Sequence, residues 1–182
     1  RHLLGQTAVV HGREALTGKI GTTLQLFDFN ATGTDGKAQS MGDQYAENLE
    51  NARWYQQELQ RIADSSPGDI GQVTDLFGGM LPGMAAITQD AERITNLTQK
   101  TTLLAAVLGN NFAMVGEQSS RILSGGAGAE METWRTALQK PIRDAGILEG
   151  SFKKSQALGE KLTMAFNKLA PEKRMELFEK AL

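Results

Sequence analysis

The chain has 182 residues, a formal net charge of -2, two histidines and no cysteine. This length suits a single domain, 1–182, with a core of its own, and the missing thiols exclude disulfides and thiolate-bound metal. The 19 Lys and Arg are scattered among 21 Asp and Glu and leave no basic footprint for nucleic acid. The longest apolar run, Leu103 to Leu108, is too short to span a bilayer.

The chain opens on Arg1 rather than Met, so an N-terminal signal segment is expected to have been trimmed. Leu16, Ile20, Leu24 and Phe27 make a first helical stripe. The loop "DFNATGTDGKAQ" (28–39) follows, with Asp28, Asn30, Thr32 and Gly33 at EF-hand positions one, three, five and six. The fit then fails. Asp35 stands where an aliphatic residue is needed, Gln39 replaces the bidentate Glu, and no sister loop exists, so the stretch reads as a helix-to-helix connection rather than a calcium site.

A second stripe runs through Tyr45, Leu49, Ala52, Leu59 and Ile62. "SSPGD" (65–69) breaks it and offers Ser66 as a cap with Pro67 at the first helical position. The Gly-rich 69–84 reads as a short helix or a small hairpin. From Ile87 a clear register follows: Ala91, Ile94, Leu97, Thr101, Leu104 and Leu108, extending through Phe112, Val115 and Ile122. "GNN" at 109–111 is thus a helix end or a weak point in one long helix.

"LSGGAGAEM" (123–131) is a break. A helix is expected from about Trp134 to Arg143, with Pro141 limiting it. Gly150-Ser151 supplies a stop and an N-cap, and Phe152, Ser155, Leu162, Phe166 and Leu169 make the next stripe. Pro171 opens a last helix whose apolar face is Met175, Phe178 and Leu182. Six or seven helices without a repeat make an all-α bundle.

"WYQQE", Trp54 to Glu58, lies within the second stripe. Trp54 points away from the face of Leu49, Ala52 and Leu59, and Glu58, four residues on, shares its side. A Trp there needs a second surface to pack on. The helix is then sandwiched between two sub-bundles, with Glu58 binding donors at the seam. The plainer reading is a partly exposed Trp beside a solvated Glu.

This W-x-x-x-E string in the second helix of a cysteine-free helical domain resembles the WxxxE effectors of enteric bacterial pathogens, the EspM, Map and IpgB group, which share a fold with SopE. Gly126, Ala127, Gly128 and Ala129 are similar to the Gly-Ala-Gly-Ala catalytic loop of SopE, and "SFKKSQALGEKLTMAF" to its helix beginning Ser-Phe-Lys. The resemblance implies two sub-bundles in a V and a guanine nucleotide exchange factor for a host Rho-family GTPase, with RhoA the preferred guess. It implies delivery by type III secretion into the host cytoplasm, where the effector remodels actin. It also implies a monomer with no cofactor, no metal and no covalent chemistry, consistent with the lack of a nucleophile–base pair. Such a factor binds the nucleotide-free GTPase more tightly than the loaded one and so speeds release.

Two placements of the exchange loop stay open. Spacing from W-x-x-x-E points to "LGNNFA", with Asn110 where relatives carry Gln and Asn111 beside it. Matching letters points to Gln118 or to Gly126–Ala129. A helical adaptor that binds a host protein without exchange is the alternative function.

Overall fold

The computed structural model describes residues 41–109, 111–128, 130–146 and 155–182; for 41–49, 130–133, 135 and 155–159 it describes the backbone alone. Among the described residues there are seven α-helices and no strand: α1 (Met41–Asp64), α2 (Ile70–Ala85), α3 (Ala91–Leu108), α4 (Phe112–Leu123), α5 (Glu130–Asp144), α6 (Ser155–Asn167) and α7 (Pro171–Ala181). The all-α expectation holds. The first stripe, the 28–39 loop and Gly150–Phe152 lie outside the described residues.

α1 buries Ala52, Tyr55, Leu59 and Ile62 at the three- and four-residue spacing of one helix face. It stops where the Ser65 and Ser66 amides bond back to the Ile62 and Ala63 carbonyls. The next helix is capped by Asp69 rather than Ser66. The Asp69 carboxylate accepts from the Gln72 amide at 2.8 Å, and the Gln72 side chain accepts from the Asp69 amide at 3.1 Å. Two orphan donors are satisfied by this reciprocal pair.

The segment 69–84 forms no hairpin. It is α2, buried on most of its surface through Val73, Leu76, Phe77, Met80, Leu81 and Met84. Two of its glycines, Gly79 and Gly83, poor helix formers in isolation, are placed for backbone contact with α4. A Cβ on Gly83 would stand 2.7 Å from Cα and O of Ser120, and one on Gly79 would stand 2.9 Å from the Glu117 amide nitrogen. Across the seam, Gly116 sits directly against the Leu76 carbonyl. The pairs advance together along both helices, so α2 and α4 run parallel and α3, which connects them, runs the opposite way.

α3 starts on Asp90, whose carboxylate accepts from the Glu92 and Arg93 amides at 3.0 and 3.2 Å. It ends at Gly109, left-handed at φ 64°, a conformation that favours glycine. α4 opens on Asn111, whose side chain accepts from the Met114 amide at 3.1 Å. The apolar register therefore does not run on as one helix through 109–111.

α1 to α4 pack as one group and α5 to α7 as a second, with α4 also touching α5 and α7. One buried cluster runs through both groups, from Ala52 to Phe178. Trp134 is fully buried there, its ring 4.9 Å from that of Phe178. α5 ends at Asp144, three residues past Pro141 and one past the expected Arg143, and starts earlier than expected, at Glu130. Pro171 does open α7, as its fixed φ favours.

Candidate functional site

Trp54 is exposed, at 37%, and its ring stands edge-on to Tyr55 with centroids 5.1 Å apart. Glu58 accepts from Arg61 one turn on, Nε at 3.0 Å and Nη2 at 2.9 Å. A surface pair of this kind contributes about 0–1 kcal/mol. Among the described residues, then, the two do not form the buried seam expected of them. Among the described side chains of α1, Tyr55, not Trp54, is the buried aromatic, packed against Phe77. Burial first, and the Asp90 carboxylate second, push the Tyr55 phenol up to about 12.

The letter-matched loop is also not a free linker. The Gly125 amide bonds to the Ile122 carbonyl at 3.2 Å and the Gly126 amide to that of Arg121 at 3.0 Å, with Gly125 at φ 77°. That pattern is a Schellman cap on α4. Ala127 is buried, and its carbonyl accepts from Asn167 Nδ2 at 2.9 Å. Beneath it Arg174 is buried, donating through Nε to the Leu123 carbonyl at 2.8 Å and through Nη1 to the carbonyls of Asn167 and Leu169. The guanidinium thus meets the negative ends of α4 and α6, while burial holds its pKa below the usual value. Gly126 and Gly128 are exposed in this pinned loop, and Ala129 lies outside the described residues. Gln118 belongs to α4 and not to a loop; it is half-buried, and its Oε1 has no hydrogen-bond partner.

The spacing-derived placement falls on a different kind of surface. Gly109 and Asn111 are exposed at the turn from α3 to α4, and Asn110 lies outside the described residues. Around this turn the apolar pattern is inverted. α3 buries Thr95, Thr98, Thr101 and Thr102, whose hydroxyls donate to carbonyls four residues back at 2.8–3.0 Å. It exposes Leu103, Val107 and Leu108 instead, and Met114 in the first turn of α4 is exposed too. Val107 is 82% exposed. Full burial of an exposed side chain of this kind yields roughly 1.5–3 kcal/mol. Val107 stands to gain most of that and the other three, at 41–44% exposed, less than half each, so this end of the bundle gains by meeting another surface.

No family model, curated protein or solved structure matches this chain. The candidate site therefore stands on its geometry. The opposite end of α3 is already engaged: Arg93 pairs with Glu179 at 2.5 Å and Glu172 at 2.6 Å, both on α7. The Gly68 backbone abuts the Phe112 ring, which places the 65–69 loop at the same end as the 109–111 turn. Among the described residues no group of three or more His, Asp or Glu lies together to hold a metal ion, and no helix is long and apolar enough to cross a membrane.

The inverted face was readable in part. Leu108 falls on the expected core stripe, yet Thr98 and Thr102 replace apolar residues on the true inner face. A run of Thr at helical spacing was the signal, because hydroxyls can bond within their own helix and tolerate burial.

Proposed function

We propose that the chain is an effector domain that binds a partner protein through the α3–α4 tip, and that the partner is a host Rho-family GTPase whose nucleotide release it promotes. The observation that carries this reading is exposed Gly109 at the end of α3 and exposed Asn111 at the start of α4, set among exposed Leu103, Val107, Leu108 and Met114. A wedge that enters between switch segments needs a compact polar apex for backbone hydrogen bonds and apolar shoulders for affinity. Exchange requires only tighter binding to the nucleotide-free state, so no covalent machinery is called for. The W-x-x-x-E resemblance supplies the partner class. RhoA is the preferred guess, and delivery by type III secretion follows from the same resemblance.

Non-catalytic adaptor function is the second reading, favoured by one detail. The Asn111 side-chain oxygen is already used in capping α4, which leaves only its amide protons for a switch backbone.

The test is release of a fluorescent guanine nucleotide from RhoA, Rac and Cdc42 with and without the chain. At least one GTPase should release tenfold faster, equivalent to about 1.4 kcal/mol of barrier. Unchanged release from all three, with a GTPase still bound, would establish the adaptor.

A further inference from the structure

The apolar tip carries a collar of one sign of charge. Asp64 ends α1, Asp69 caps α2, Asp75 lies in the second turn of α2 and Glu117 in the second turn of α4. All four are exposed, and all lie within six residues of a helix end at this tip, about 9 Å of rise. Glu117 follows Met114 by three residues, so the two share a face. The last two turns of α3, 101–108, hold no charge at all. Among the described residues Arg61 is the basic residue in this zone, and it is engaged by Glu58. Lys100 turns its ammonium the other way, to the Glu179 carbonyl of α7 at 3.2 Å.

From this arrangement we infer that the α3–α4 tip accepts a basic amphipathic helical face of its partner protein. The inference rests on the proposed role of the tip in partner binding and adds the chemistry of the surface that it recognises. Leu103 and Val107, four apart, form a ridge that seats between the apolar side chains of a facing helix. Lys or Arg flanking that apolar stripe would then meet Glu117 and the exposed carboxylates of Asp64 and Asp69, which accept locally from the Gln60 side chain and the Gln72 amide and keep further acceptor capacity. Acidic groups at this range steer a cationic partner and turn away like-charged ones. An anionic bilayer carries the wrong sign, and a second copy would set collar against collar.

The test uses the whole chain and two labelled synthetic helical peptides of identical leucine spacing, one with Lys and one with Glu at the flanking positions. Fluorescence anisotropy should show the Lys peptide binding at least tenfold more tightly than the Glu peptide. Binding should weaken at least tenfold with Val107→Asp and again with the pair Asp64→Lys and Glu117→Lys, and it should fall as salt rises. These positions are exposed, so thermal melts of the variants should match the parent. Equal affinity for both peptides, or indifference to both sets of substitutions, would overturn the inference. Val107-dependent binding to phosphatidylserine vesicles, or Val107-dependent self-association in sedimentation, would also overturn it. If the chain releases Rho nucleotide equally well with and without the two Lys substitutions, the collar is refuted while the exchange reading stands. If peptide recognition holds but no Rho protein responds, the exchange reading alone fails.

Discussion

Substituting Ala for glycine within one molecule should give opposite signs at Gly116 and Gly78. Ala is the better helix former by about 1 kcal/mol, so without other effects both changes would stabilise. At Gly78 nothing lies within 4 Å of the added Cβ, and Gly78→Ala should therefore gain roughly 0.5–1 kcal/mol. At Gly116 the Cβ would collide with the Leu76 carbonyl oxygen and stand 3.1 Å from its Cα and carbonyl carbon. Those are backbone atoms, so no side chain can rotate out of the way, and the α2–α4 seam must open. Overpacking of this kind costs about 1–3 kcal/mol; taking the upper end and subtracting the propensity gain leaves about 2 kcal/mol of net destabilisation. For a domain of this size that lowers the melting temperature by roughly 4–8 °C, against a rise of roughly 1–4 °C for Gly78→Ala. Paired thermal melts followed by circular dichroism would show it. If Gly116→Ala melts at or above the parent, the parallel backbone contact of α2 and α4 is not as described.

The two tryptophans should behave differently. Trp134→Ala should cost ~3–5 kcal/mol in chemical denaturation, whereas Trp54→Ala, at an exposed site, should stay within about 1 kcal/mol of the parent; equal losses would contradict the burial described. Arg174→Met removes the donor shared by three carbonyls and should cost on the order of 3 kcal/mol, with Arg174→Lys recovering less than half because a point ammonium cannot bridge them. A neutral Arg174→Met would remove its keystone role. The Tyr55 phenol, raised from 10.0 to about 12 by burial, contributes stability that is fully present below pH 10 and is lost as pH rises through about 12. Ultraviolet difference titration should find one tyrosine ionising well above the ordinary value, and its loss in Tyr55→Phe checks the assignment; a Tyr55 midpoint near 10 would contradict it.

How far the sequence revealed this molecule depended on which interactions decide each element. The stripe through Ala52, Leu59 and Ile62 is buried as its spacing implies, and Pro171 opens a helix whose Met175 and Phe178 face the core. α2 was illegible because its glycines and Pro82 are weak helix formers judged alone. Gly79 and Gly83 serve a backbone contact with α4, more than 30 residues away, which local reading does not contain. The same limit applies to Trp54 and Trp134: the motif drew attention to the first, while the buried Trp is the second, whose helix was expected but whose packing on Phe178 local reading does not contain. Arg174 gives no warning at all, since its partners are main-chain carbonyls. At the tip, an apolar register that continues across 109–111 left a helix end and a weak point both open, and the structure ends α3 at Leu108. The left-handed Gly109 and the Asn111 cap are local signals that outweigh that register.

Nucleotide release from RhoA in the presence of Val107→Asp tests the functional account most directly. Val107 is 82% exposed, so its replacement should leave the melt within about 0.5 kcal/mol of the parent and act only on what the tip touches. The parent chain is expected to accelerate release, and Val107→Asp to slow that accelerated rate at least tenfold. A variant that folds normally and catalyses release as fast as the parent would contradict the assignment of the α3–α4 tip.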